Sequence, residues 1–106
     1  MRIAQVIRLD PDRIEEYERV HAAVWPEVLA QLSRSGIRNY SIHRYETLLF
    51  ANFEYVGDDF ESDMAAMADD ETTRRWWAVC EPMQRPVAER AAGDWWHTIP
   101  EVFHAD

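Results

Sequence analysis

The segment YERVHAAVWPEV, residues 17–28, places Tyr17, His21 and Trp25 four residues apart, which on a helix is one shared edge. Imidazole is the side chain that most readily gives and takes protons near neutral pH. Two arrangements fit this spacing. His21 could be a hydrogen-bonded core residue among packing aromatics. It could also stand in a cleft between a helix and a sheet as a titratable group. Tyr40, after Asn39, could point into the same layer. Trp76 and Trp77 are adjacent, so on a helix they lie about 100° apart. One can pack while the other reaches a cleft. Aromatic faces stack against the C–H faces of sugars, and hydroxyls and imidazoles serve the polar edges.

Other reactive constellations are weaker. His21, His43, His97 and His104 lack tight metal-ligand spacing, and the single cysteine adds nothing to them. Cys80 sits in an apolar stretch beside Trp77 and reads as packing rather than as a nucleophile.

The elements that must position these groups follow from periodicity and punctuation. RIAQVIRL, residues 2–9, reads as a strand, and Asp10-Pro11 as a cap and first helical residue. Ile14, Tyr17, His21, Trp25, Val28 and Leu32 share one face of a helix predicted over residues 11–35. Gly36 is placed to end it in a left-handed turn. Pro26 should kink it near residues 22–26. IRNYSIHRY (37–45) and LLFANFEY (48–55) read as two strands around a tight turn at Glu46-Thr47. Asp58 with Glu61 has capping-box spacing, which predicts a helix over residues 59–68. Asp69-Asp70 can cap a second over ETTRRWWAVCEPM. HTIPEVFH, residues 97–104, is predicted as the last strand, at an edge because of Pro100.

The order is that of a ferredoxin-like βαββαβ domain, an α+β fold with an antiparallel sheet and helices on one face. A chain of 106 residues is expected to form one domain over residues 1–106. Leu49, Ala51, Phe53 and Tyr55 would face one way and Leu48 and Phe50 the other. Apolar residues on both faces predict that a second copy covers the open side as a homodimer.

Eleven basic residues against 20 acidic ones give a net charge of −9, which disfavours nucleic acid and anionic membranes as partners. A neutral or cationic small molecule is permitted. MRIAQVIRLD lacks the apolar core of a signal peptide, and no run has the length of a membrane helix. With one cysteine and hence no internal disulfide, a cytoplasmic location is expected. Five tryptophans in so short a chain must be packed or used.

His21, W-P-E at 25–27, N-Y at 39–40, L-L-F-A at 48–51, R-W-W at 75–77 and E-V-F at 101–103 occur in this order. Together they resemble the L-rhamnose mutarotase family over nearly the whole chain. The resemblance implies a dimeric α/β barrel and an aldose 1-epimerase that interconverts the α and β anomers of a 6-deoxy-L-hexose. It implies His21 as the catalytic acid/base, Tyr17 and Tyr40 as holders of sugar oxygens, and Trp76 and Trp77 as walls of the sugar pocket. It implies no metal or organic cofactor. L-Fucose is the alternative sugar. Alternatives of another class are a cofactor-free monooxygenase of the same barrel type and a non-catalytic small-molecule-binding dimer.

Overall fold

The computed structural model describes residues 1–106. Strand β1 (Arg2–Leu9) leads through a 3-10 turn, Pro11–Arg13, into helix α1 (Ile14–His21). Helix α2 (Pro26–Arg34), strands β2 (Ile37–Tyr45) and β3 (Leu48–Tyr55), and helices α3 (Phe60–Asp69) and α4 (Glu71–Cys80) follow. A 3-10 turn, Glu81–Met83, leads to two short strands, β4 (Gln84–Arg85) and β5 (His97–Ile99). The sheet is antiparallel throughout, in the order β2-β3-β1-β4, with β5 also paired to β1.

The alternation expected in β3 holds. Leu49, Ala51, Phe53 and Tyr55 are buried on the helix-covered face, whereas Leu48 and Phe50 are half-buried on the other. Ile7, Leu9, Leu49 and Met83 lie at the centre of the core, under Tyr17, Val28, Trp76 and Cys80 from the helices. A smaller cluster of Ile37, Phe53 and Tyr55 packs against Phe60 and Met64 of α3.

Several boundaries differ from the sequence reading. The long helix predicted over residues 11–35 is two helices, not one kinked rod. Trp25 is extended (φ −61°, ψ 134°), and Pro26 is the first residue of α2. A residue before proline is driven out of the helical region by the pyrrolidine ring. Proline at a first helical position lacks only a hydrogen that would have no partner there. The chain therefore starts afresh instead of bending, and α1 ends at His21. Gly36 does close α2 with φ +80°.

The cap of α3 is Asp59, whose carboxylate accepts from the Ser62 amide, not Asp58 as the spacing suggested. Asp70 caps α4 through both the amide and the hydroxyl of Thr73. α4 stops at Cys80, and Pro82 sits in the 3-10 turn instead of a continuing α-helix.

The predicted last strand, residues 97–104, is only His97–Ile99. Its missing half is β4, which the sequence did not reveal. Gln84 and Arg85 pair with Leu9 and Arg8, while His97, Thr98 and Ile99 pair with Val6, Gln5 and Ala4. These form one line along one edge of β1, interrupted by a loop over residues 86–96.

Residues 39 and 40 are the other irregularity. Ile37 and Arg38 oppose Tyr55 and Glu54, and Ser41 opposes Asn52. Two residues, Asn39 and Tyr40, thus stand against Phe53 alone, which is a β-bulge. Asn39 takes the left-handed φ of +51°, which asparagine tolerates better than most residues. The extra residue reverses the alternation. Tyr40 turns to the inner side and stacks on Phe53, with ring centroids 5.4 Å apart and an interplanar angle of 7°.

Candidate active site

A cavity of about 560 Å³ opens between the helices and the sheet. That is within the range of roughly 300–1,000 Å³ usual for small-molecule sites. Tyr17, His21, Tyr40, Trp76 and Trp77 all line it, so the fold brings together all five residues singled out in the sequence. Trp76 is buried and Trp77 half-buried, as two indoles 100° apart on one helix should be.

His21 is the last residue of α1. Its Nδ1 lies 2.8 Å from the backbone carbonyl oxygen of Tyr17. A carbonyl can only accept, so Nδ1 carries the hydrogen and donates it. Neutral His21 therefore bears its lone pair on Nε2. The ring is stacked on Tyr17 with centroids 4.0 Å apart and meets Trp76 edge-on at 5.2 Å. Trp76 in turn meets Trp25 edge-on at 5.1 Å. These contacts fix the imidazole plane. Burial lowers the His21 pKa, only partly opposed by the hydrogen bond to the Tyr17 carbonyl. The free base thus dominates at neutral pH.

Cys80 Sγ stands 4.0 Å from His21 Nε2. The pair does not form a thiolate and imidazolium. Burial pushes the thiol up to about 12 while it pulls the imidazole down, so both are neutral. Cys80 is a buried wall of the site, as the sequence suggested, and not a nucleophile.

Both tyrosines stay protonated. Burial raises the Tyr17 pKa strongly, and the hydrogen bond from Gln84 offsets only part of that. Burial pushes the Tyr40 phenol up to about 12, although the residue as a whole is 40% exposed. The two facts are compatible. A side chain lining an open cavity is reachable by water, yet its hydroxyl is desolvated by the walls around it.

The sequence reading missed Gln84, Trp95, Trp96 and Gln5, which also line the cavity. Gln84 is buried, and its Nε2 donates to the Tyr17 hydroxyl at 3.0 Å. Its Oε1 accepts from Trp95 Nε1 at 2.8 Å. No periodic pattern marks these residues. Gln84 arrives through the pairing of β4 with β1, and both indoles arrive on the loop over residues 86–96. The excess of tryptophan was the one available signal.

The rest of the lining is mostly apolar and contains no group of three or more His, Cys, Asp or Glu side chains placed to hold a metal. The arrangement offers one neutral base, two phenol donors and aromatic walls. These suit proton transfer on a small polyhydroxylated molecule.

Comparisons with known proteins agree with this chemistry. The family model of L-rhamnose mutarotase matches residues 2–105. The L-rhamnose mutarotase of Lactiplantibacillus plantarum is 31% identical over 106 residues, covering 100% of this chain and 99% of that protein. That of Bacteroides thetaiotaomicron is 33% identical, covering 92% of this chain and 91% of the relative. Among solved structures, L-rhamnose mutarotase FA22100 from Formosa agariphila superposes with a TM-score of 0.79 at 23% identity. It covers 100% of this chain and 99% of its own. Tetracenomycin F2 cyclase from Streptomyces glaucescens, a type-II polyketide cyclase, has a TM-score of 0.68 at 19% identity, covering 99% of this chain and 95% of its own. At these identities the two structures establish the α+β fold. The sequence matches establish more: the chain belongs to the L-rhamnose mutarotase family, isomerases that act on carbohydrates.

Proposed function

We propose that the protein interconverts the α and β pyranose anomers of L-rhamnose, with His21 as the base. The observation that carries the reading is the His21 tautomer. The Tyr17 carbonyl holds the hydrogen on Nδ1, which leaves a neutral, basic Nε2 in an aromatic-lined cavity.

The reaction needs little beyond that. Nε2 takes the proton of the anomeric hydroxyl, the bond from C1 to the ring oxygen breaks, and the ring oxygen receives a proton. The open-chain aldehyde turns about the C1–C2 bond. The same proton transfers in reverse then close the ring on the other face. Mutarotation already proceeds slowly in water, so general acid–base assistance of roughly 10²–10⁴-fold is a large part of the task. Tyr17 and Tyr40 supply hydroxyls for sugar oxygens. Trp76 and Trp77 supply apolar surface that suits the 6-methyl group and the C–H face of the ring.

The test is saturation-transfer proton NMR at the anomeric signals, with L-rhamnose, L-fucose and D-glucose in turn. Enzyme-dependent exchange should be greatest for L-rhamnose and should vanish in His21→Ala. Exchange retained in that variant would remove His21 from the role. Greater exchange with L-fucose would reassign the sugar.

The same reading includes a homodimer across the open sheet face, with one domain per chain, working in the cytoplasm. The half-buried Leu48 and Phe50 on that face support the dimer, as do Val102 and Phe103, which are 94% and 80% exposed in the single chain. A two-fold pairing would let these surfaces cover themselves. The lone free thiol, Cys80, accords with a reducing compartment.

A further inference from the structure

Tyr17 and His21 belong to one helical edge, but the hydroxyl of Tyr17 is governed from elsewhere. Indole nitrogen can only donate a hydrogen bond. Trp95 Nε1 donates to one end of the Gln84 side chain at 2.8 Å, so that end must be the carbonyl oxygen. The other end is then the amide nitrogen, which donates to the Tyr17 oxygen at 3.0 Å. The Tyr17 oxygen is thus an acceptor on its buried side. Its own hydrogen is free to point into the cavity that Tyr17 lines.

We infer that Trp95 and Gln84 are positioning residues that turn the Tyr17 O–H into the cavity, making Tyr17 the proton donor to the sugar ring oxygen. The inference rests on the mutarotase reading and assigns the second proton in it. In the forward step His21 Nε2 gains the anomeric hydroxyl proton, the bond from C1 to the ring oxygen breaks, and that oxygen takes the Tyr17 proton. The Gln84 N–H, already aimed at the Tyr17 oxygen, stabilises the negative charge left there. On reclosure the Tyr17 oxygen recovers its proton from the ring hydroxyl, and the imidazolium returns one to the new anomeric oxygen. No electrons are transferred, and both groups end as they began.

The relay has one direction only. Were residue 84 a carboxylate, the same heavy atoms could remain hydrogen-bonded, but Tyr17 would have to donate backwards to it. Gln84→Glu is therefore a near-isosteric reversal of the Tyr17 hydrogen, Gln84→Met removes the relay, and Trp95→Phe keeps a ring while removing the donor that orients Gln84.

The experiment measures kcat and KM for L-rhamnose anomer exchange in these variants and the wild type at pH 9, where an ionised carboxylate is favoured at residue 84. Melting curves check folding. Gln84→Glu should lose about tenfold or more in kcat with KM little changed, the pattern of an interaction made in the transition state. Gln84→Met and Trp95→Phe should lose less, because Tyr17 can still rotate into a productive pose. Wild-type kcat in Gln84→Glu, or a change confined to KM in all three, would overturn the inference. If Gln84→Glu does not fold, Trp95→Phe decides, with unchanged kcat counting against the relay. Failure of the wild type to exchange L-rhamnose anomers would overturn the parent reading instead.

Discussion

In the proposed reaction His21 joins two properties usually opposed in a base, burial and availability. Burial lowers its pKa below the free imidazole value of about 6.5, so the neutral form persists to lower pH than in a solvated histidine. The proposed reaction uses that neutral form. As pH falls, protonation of His21 should therefore switch the enzyme off, and the acid limb of kcat/KM should have its midpoint below about 6.5. A pH–rate profile for L-rhamnose exchange, corrected for the spontaneous reaction, measures this midpoint. A midpoint well above that value would show that another group carries the proton. Tyr17 and His21 were legible because their four-residue spacing is kept in α1, and Trp76 and Trp77 because adjacent residues of α4 diverge by about 100°. The His21 tautomer was not, because it depends on the distance from Nδ1 to one carbonyl oxygen. Gln84 and Trp95 were equally hidden. Gln84 is placed by the register of β4 on β1 and Trp95 by the loop that leads into β5, and no local pattern encodes their meeting.

Among the elements, β2 shows how a local departure from regularity serves the site. With strict alternation from the inward Ile37, Tyr40 would point to the open face. The bulge, with Asn39 at φ +51°, turns it inward. Replacing Asn39 with valine puts a β-branched side chain in the left-handed region, at a cost of about 1–3 kcal/mol. Asn39→Val should lower the melting temperature and raise KM for sugar by displacing Tyr40, whereas Asn39→Gly should nearly restore both. Calorimetry with exchange kinetics on the two variants provides the check, and wild-type values for Asn39→Val would refute the role of the bulge. The N-Y pair was visible in the sequence, but the bulge was not. Period-two reading has no place for an inserted residue. The split between α1 and α2 was only half legible: Pro26 was known to disturb the helix, and the preceding Trp25 made the disturbance a full break.

For the whole molecule, antiparallel topology and helix coverage followed from the order of elements and from the apolar pattern in β1 and β3. The open face is where the single chain is least self-sufficient. Sedimentation at low micromolar concentration should give twice the 12.5 kDa chain mass. A monomeric mass would remove the dimer from the proposal while leaving the His21 chemistry intact, because all five site residues come from one chain. The last strand was the largest misjudgement of extent. Its sequence is divided by a loop, and hydrophobic pattern alone does not join two fragments to the same partner.

That divided edge has an evolutionary corollary. β4 and β5 are each anchored to β1 by their own pairings, so the register of one does not depend on the number of residues between them. The exposed residues 88–94, between Trp95 and the buried Val87, can lengthen, shorten or be exchanged without shifting the sheet, while Trp95 and Trp96 stand at the cavity wall. Loop length is thus the part of the cavity rim that insertion and deletion can alter, while Trp95, through Gln84, stays tied to the same chemistry as the imidazole.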